Sequence, residues 1–304
     1  MYHGVVREPL PVPDWCFVSE DQFAAEMQYL AKETRVLPLE TALQRLRSGR
    51  LREPTVAITF DDGFQSVHDL AFPILRDLSL PATVFLATSF VDSRRTVWFC
   101  ELLQILSLTA ADELEWRGQR YDLRDSSARS ATSARLQAFL KEMHPDEISV
   151  ALRDIAENLG VDSDAAAATQ APFQMLDGAS ITSMVRSGLI EFGAHTETHT
   201  ILTRVAPERA KAEIHRSIDR TAELVGSPCR SFAYPNGRTQ DYDEVALVAL
   251  RDAGIRNAVT SIQGPNTGDT PLLELRRYGA APGASLGRFQ CEVHHLRSRL
   301  LRSR

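Results

Sequence analysis

The chain has 304 residues, 43% hydrophobic and 24% charged, an ordinary balance for a globular protein able to bury a sizeable core. A net charge of −6 gives no electrostatic case for nucleic-acid binding, and no apolar run is long enough to cross a membrane. The four cysteines, Cys16, Cys100, Cys229 and Cys291, form no C-x-x-C pair, which argues against a zinc knuckle, a redox motif or a disulfide framework.

The segment Met1 to Pro9 lacks the apolar centre of a signal peptide, so the expected location is the cytoplasm. Tyr2 to Val6 reads as a short first strand containing His3, a lone histidine that packing or surface exposure explains more often than chemistry. Ser19 is a good helix N-cap with Gln22 at the capping-box position, and Phe23, Met27 and Leu30 follow at helical spacing. A brief strand at 35–38 and a helix at 39–46 lead to the stretch Thr55-Val56-Ala57-Ile58-Thr59-Phe60-Asp61-Asp62-Gly63. Val56, Ile58 and Phe60 predict a buried strand that runs into two adjacent carboxylates. Such neighbours repel, and the usual compensations are a metal ion, a basic partner or a raised pKa. A surface turn or helix cap is the plain alternative.

Residues 66–78 read as a helix ended or bent by Pro73, and 81–87 as the next strand. The alternation of strand and helix predicts a parallel α/β architecture, with reactive groups gathered at the C-terminal strand ends. From about 93 to 177 the pattern changes to an apolar helix beginning near Trp98, a small hairpin turning at Gly118, and two amphipathic helices at 128–143 and 146–159. This is an insertion, mostly helical, suited to a lid or substrate wall; the alanine run 165–168 carries no signal.

The α/β pattern resumes with a helix at 180–187 and a strand at 189–193, and then comes Ala194-His195-Thr196-Glu197-Thr198-His199. Histidines four apart face one side of a helical or an extended segment, the spacing one metal ion needs to take two imidazoles. With Asp62 on the same rim, His195 and His199 make a facial set with open positions. A helix at 207–225 precedes Ser231-Phe232-Ala233-Tyr234-Pro235-Asn236-Gly237, a strand and tight turn. An ordinary turn is one reading; a backbone N–H, that of Asn236, aimed at a developing oxyanion is the other. A helix at 243–252, strands at 258–260 and 273–278, and a closing helix from 283 to 300 complete the chain. Its end is basic, with Arg288, His294, His295, Arg297, Arg299, Arg302 and Arg304 against Glu292 alone. A solvated helix face is preferred there over a contact with an anionic lipid or substrate.

Together the Thr59-Phe60-Asp61-Asp62-Gly63, His195-Thr196-x-x-His199 and Phe232-x-x-Pro235-x-Gly237 stretches resemble the first three motifs of the polysaccharide deacetylase family, the NodB-homology or carbohydrate esterase family 4 enzymes. The resemblance spans about 56–278 and implies an irregular parallel (β/α) barrel, here one domain over 1–304 with the helical insertion. It implies a hydrolase of carbon–nitrogen bonds acting on an N-acetylated sugar of a bacterial polysaccharide, surface glycan or precursor. By the same resemblance Asp61 is the general base, and Asp62, His195 and His199 hold a divalent metal, usually Zn2+. Tyr234, Pro235 and Trp98 are expected to line the substrate site.

The sequence departs from the family pattern. The third motif usually carries an arginine that orients the base, and that position is Ala233. The fourth motif, an aspartate with a tryptophan, is absent. Arg277 is expected to supply the missing charge, with Arg276 as the alternative. No Leu-x-His motif follows Tyr278, and His294 and His295 lie in the closing helix, so the general acid is unassigned. The alternatives to an N-deacetylase are a same-fold hydrolase of another amide, such as a formamido sugar, a lipid-linked intermediate or a small cyclic amide, and a glycan-binding module without catalysis. Retention of both aspartates and both histidines argues against the last.

Overall fold

The structure is a computed structural model that describes residues 1–162 and 171–294. In chain order the first elements are β1 (Gly4–Val6), β2 (Phe17–Ser19), α1 (Glu20–Glu33), β3 (Arg35–Val36), α2 (Leu39–Arg47), β4 (Thr55–Val56) and β5 (Ile58–Phe60). Ser19 caps α1, its Oγ accepting from the Gln22 N–H, and Phe23, Met27 and Leu30 are all buried against the sheet. The Gln22 side chain does not close a capping box. It spans instead to Glu26, the Ala281 carbonyl and the Gly283 N–H, tying α1 to the end of the chain.

The strand expected at 56–60 is two. Thr55–Val56 pairs with β3, and Ile58–Phe60 enters the main sheet. The helix expected at 66–78 opens with a π-helical turn at Val67–Ala71 and becomes regular in α3 (Phe72–Asp77). Pro73 lies at the junction, in the first turn of α3 directly after the π-helical turn.

After β6 (Ala82–Leu86) come α4 (Trp98–Leu108), the antiparallel hairpin β7 (Glu113–Trp116) and β8 (Gln119–Asp122), α5 (Ser126–Leu140) and α6 (Pro145–Asn158). Leu102, Leu103, Leu106, Leu136, Leu140, Leu152 and Ile155 from this region are buried in one core that is continuous with that of the sheet. The chain then passes through the helix Gly178–Arg186, β9 (Ile190–Ala194), the helix Pro207–Val225, β10 (Ser231–Ala233), the helix Glu244–Asp252 and β11 (Asn257–Val259). The closing helix covers Leu286–Val293; the rest of the expected helix, including His295 and the arginines after it, and the alanine run 165–168 lie outside the described residues.

The central sheet is parallel and five-stranded, in the order β11-β10-β9-β6-β5. Phe60, Val84, Phe85, Leu86 and Phe232 are fully buried, as strands covered on both faces require. The expected strand at 273–278 does not form. Leu275 makes a single parallel bridge to Val259, and the Arg276 N–H and C=O turn to the Asn266 side chain instead of a neighbouring strand. At the opposite edge Tyr2 bridges Phe60. The two edges meet: the Met1 amino group donates to the Tyr278 carbonyl at 2.8 Å, and the Ala280 N–H to the Met1 carbonyl at 2.9 Å. The sheet is thereby curled into an irregular barrel, with residues 1–2 standing between β5 and the segment after β11. Asp61, His195, Tyr234 and Thr260 all follow C-terminal strand ends on one rim.

Candidate active site

Asp61 leaves β5 with its N–H on the Tyr2 carbonyl, so both the strand and the first residues of the chain fix its position. Its carboxylate is 3% exposed and meets Arg277 in a bidentate fork: Nη1 to Oδ1 and Nη2 to Oδ2, each 2.7 Å. The guanidinium is itself held by Nε on the Thr260 carbonyl at 2.8 Å and Nη1 on the Thr59 hydroxyl at 3.2 Å. Burial alone would push the Asp61 carboxyl up; the Arg277 charge and hydrogen bonds outweigh it and hold the carboxyl below its ordinary value. Of the two arginines weighed from the sequence, Arg277 reaches the carboxylate. Arg276, with its backbone tied to Asn266, does not.

Asp62 turns the other way. Its backbone is left-handed, φ 71°, a conformation aspartate tolerates better than most residues, and Gly63 follows at φ 87°. The carboxylate meets His195 Nε2 at 3.3 Å and His199 Nε2 at 3.2 Å. Neither approach has hydrogen-bond geometry: both Asp62 oxygens are buried without a donor. The His195 ring is oriented from behind, its Nδ1 lying 2.7 Å from the Ala233 carbonyl. A carbonyl only accepts, so Nδ1 carries a proton, and in the neutral imidazole that leaves the lone pair on Nε2, the atom that faces Asp62. One ligand atom from each of the three residues lies within 4.8 Å of the others. Converging acceptors without donors are what a cation satisfies, and the site fits one.

The loop that carries both histidines is neither helical nor extended. Thr196 and His199 have φ of 62° and 57°. Glu213, buried on the helix Pro207–Val225, braces it by accepting from the Thr198 N–H at 2.8 Å, the Thr198 hydroxyl at 2.7 Å and the Thr200 hydroxyl at 3.4 Å. Asn236 follows β10 at φ 60° and lines the same cleft, its N–H unaccepted among the described residues. The turn is rigid: the Asn236 amide and the Arg238 N–H share the Asp241 carboxylate, and Gly237, at φ 66°, lies where a Cβ would stand 2.9 Å from the Ser261 nitrogen.

Of the expected substrate-lining residues, Trp98 opens α4 at the cleft. Tyr234 reaches the cleft wall, but its hydroxyl is used on the Leu273 carbonyl and its ring stacks on Tyr242 at 4.2 Å. Pro235 is buried in the turn and does not line the cleft. Three residues that sequence reasoning passed over or ranked low join the site. His3 is buried beside Asp61, Asp62 and His195, its imidazole pushed below its ordinary pKa by burial. Trp15 packs edge-on to His3 with ring centres 4.9 Å apart, and Lys141 enters from the insertion. None sits in a short motif; only the closure of Met1 and Tyr2 against β5 brings His3 to the rim.

Comparison with known proteins follows the same lines. A sequence profile described as Polysaccharide deacetylase matches residues 48–258. Poly-beta-1,6-N-acetyl-D-glucosamine N-deacetylase of Staphylococcus epidermidis is 32% identical over 98 residues, 32% of each chain, and the Staphylococcus aureus proteins of that name are 32% identical over 75 residues, 24% of this chain and 26% of theirs. The chain thus matches about a third or less of the length of these curated relatives. Among solved structures, Streptococcus pyogenes deacetylase PplD in complex with acetate superposes with a TM-score of 0.64 at 18% identity, covering 96% of both chains. IcaB from Ammonifex degensii superposes at 0.58 with 19% identity, covering 92% of both. These likenesses establish the shared fold.

Proposed function

The chain belongs to the polysaccharide deacetylase family, and we propose that it hydrolyses the acetamide of an N-acetylated sugar in a bacterial polysaccharide, surface glycan or glycan precursor. One observation carries the reading: two adjacent buried carboxylates with opposite partners, Asp61 locked to Arg277 and Asp62 open to two histidine nitrogens. A glycan-binding module without catalysis has no use for either arrangement.

Asp62, His195 and His199 would hold a divalent cation, zinc by the preference of two imidazoles and a carboxylate in an open site. When bound, it supplies Lewis-acid polarisation of the amide carbonyl and makes a water acidic enough to react near neutral pH. Asp61 is the proton acceptor for that water, and Arg277 fixes the plane of the carboxylate and keeps it ionised. The Asn236 N–H is the donor for the oxyanion that develops as water oxygen bonds to the carbonyl carbon. The proton that Asp61 takes from the water passes to the sugar nitrogen as the C–N bond breaks, giving acetate and a free amine; His3 lines the cleft beside it, its pKa lowered by burial. A cytoplasmic location belongs to the same proposal, and cell fractionation tests it.

The decisive experiment measures metal content and acetate release from N-acetylglucosamine oligomers for the wild type and His199→Ala. The reading expects about one divalent ion per chain and turnover in the wild type, with both lost in the variant. Turnover with equal metal content in the two proteins overturns the ligand assignment. Metal binding without acetate release from any N-acetylated sugar turns the assignment to another amide.

A further inference from the structure

A groove runs out of the catalytic cleft on the side of the insertion. The two hollows share Trp15, Gln137, Lys141 and Asn236, so a ligand extending from Asn236 passes over Trp15 into it. The groove has a volume of about 430 Å³, in the range of small-ligand sites and ample for a sugar ring.

Its walls are fixed to one another. The N-terminal loop carrying Trp15 is pinned to α5: the Ser126 hydroxyl donates to the Pro11 carbonyl at 3.1 Å, the Ser130 hydroxyl to the Pro13 carbonyl at 2.8 Å, and the Gln137 amide to Asp14 Oδ2 at 2.8 Å. Trp15 is nevertheless 51% exposed, an amphipathic ring held at the mouth of a polar cleft.

Two cations face the groove. Lys141 follows the last residue of α5, its ammonium 5.9 Å from the centre of the Trp15 ring. Arg238 follows the Asn236–Gly237 turn. Among the described residues neither has a carboxylate within ion-pair distance. The acids that line the groove already have donors, none of them the Lys141 ammonium or the Arg238 guanidinium. Asp14 accepts from the Cys16 N–H and Gln137, Asp241 from the Asn236 amide and the Arg238 N–H, and Glu142 pairs with Arg204. A half-buried ammonium without a paired anion is costly: burial, with the neighbouring Arg238 charge, outweighs the opposing influence of Cys16, Asp14 and Asp241 and pushes Lys141 below its ordinary pKa.

We propose that this groove is a second sugar subsite: a residue adjoining the N-acetylated sugar stacks on Trp15 and places an anionic group between Lys141 and Arg238. The inference rests on the deacetylase reading and narrows its substrate class to acidic glycans or glycosyl phosphates. A carboxylate on the neighbouring sugar and a phosphate on its glycosidic oxygen offer the same chemistry to these two side chains.

The test compares three probes: a hyaluronan tetrasaccharide, with a carboxylate on the neighbouring sugar; UDP-N-acetylglucosamine, with a phosphate in that place; and neutral chitotetraose. Acetate release by the metal-loaded enzyme is expected to favour one anionic probe over the neutral one by roughly tenfold in kcat/KM, and which one identifies the anion. Lys141→Met should collapse that ratio, and Lys141→Arg should retain it. Equal rates on all three probes, or a ratio untouched in Lys141→Met, overturns the subsite while leaving the deacetylase reading intact. Binding of the same probes to Asp61→Asn, followed by tryptophan fluorescence, separates the two ideas further. If no probe is turned over by the wild type yet an anionic probe binds and Lys141→Met abolishes that binding, the subsite stands and the deacetylase reading falls.

Discussion

At the scale of single residues, the site is a study in how two neighbouring carboxylates acquire different properties. Asp61 sees a guanidinium and Asp62 sees imidazole nitrogens, although one peptide bond separates them. Asp61→Asn is therefore expected to keep the cation and the fold while losing about 10² to 10⁴ in turnover, the usual range for a general base. Asp62→Asn should weaken cation binding, with activity partly restored by added metal; titration calorimetry and acetate release on both variants decide between these roles and their reverse. The Asp61–Arg277 fork also makes an acid-stability prediction. The folded carboxyl lies below its ordinary value of 3.8, so its contribution to stability is present above that value and disappears as pH falls through the lower, folded one. The wild type should thus lose more thermal stability than Asp61→Asn between about pH 4 and the acid limit of folding, measured by melting temperature against pH.

Local motifs made part of this site legible in the sequence. Asp61, Asp62, His195 and His199 lie in stretches of a few residues whose spacing alone brings their side chains to one strand end or one loop. Arg277 was legible only as one of a pair, because the choice between adjacent arginines depends on which faces the barrel interior, and the strand expected at 273–278 does not form to set that face. His3 gave no signal beyond its presence in a first strand. Trp15 and Lys141 gave none, since their meeting is made by hydrogen bonds between a loop and a helix more than a hundred residues apart.

At the scale of elements, the loop after β9 stands out because it carries two ligand candidates on a backbone with two residues at positive φ. Such a backbone persists only when its surroundings fix it. Glu213 does so by accepting three hydrogen bonds on one buried carboxylate, two of them from Thr198, the residue directly before His199. Glu213→Gln keeps the shape but turns one acceptor oxygen into a donor facing donors. The expected cost is roughly 1–3 kcal/mol of stability together with weaker cation binding. Denaturant unfolding and a cobalt(II) absorption titration check the two effects separately; an unchanged cobalt spectrum would mean that the brace does not reach His199. The strand and helix pattern of the core was legible because its periods are regular. The division of 55–60 between two sheets and the π-helical opening at Val67–Ala71 were not, because both are set by tertiary pairing rather than by local preference.

At the scale of the whole molecule, the insertion and the barrel closure decide what the rim becomes. The insertion supplies Trp98, Gln137 and Lys141 to the cleft and adds its helices to the same core as the sheet, so it acts as a wall rather than an appendage. The predicted barrel holds in its alternation and parallel order, while its closure depends on contacts between the two ends of the described chain. Tyr2 sits at that seam, 5% exposed, with its hydroxyl on Glu26 at 2.6 Å and its carbonyl receiving the Asp61 N–H. Tyr2→Ala should cost about 3–5 kcal/mol, the range for removing a large buried aromatic, and lower turnover in the protein that remains folded. Chemical denaturation and the specific activity of the folded fraction test this.

The closure also sets an order of events during synthesis. The ribosome delivers Asp61, Asp62 and both histidines long before Arg277, which is 216 residues after its carboxylate partner. A nascent chain that has emerged from the ribosome only as far as residue 262 presents every side chain of the proposed cation site but not the clamp on the proposed proton acceptor. Such a chain should bind metal without turning over substrate, as metal-loaded stalled complexes assayed for acetate release would reveal. The segment that carries Arg277 is then an arming step: if the proposed site holds a cation, the chain can take it up before it can use it.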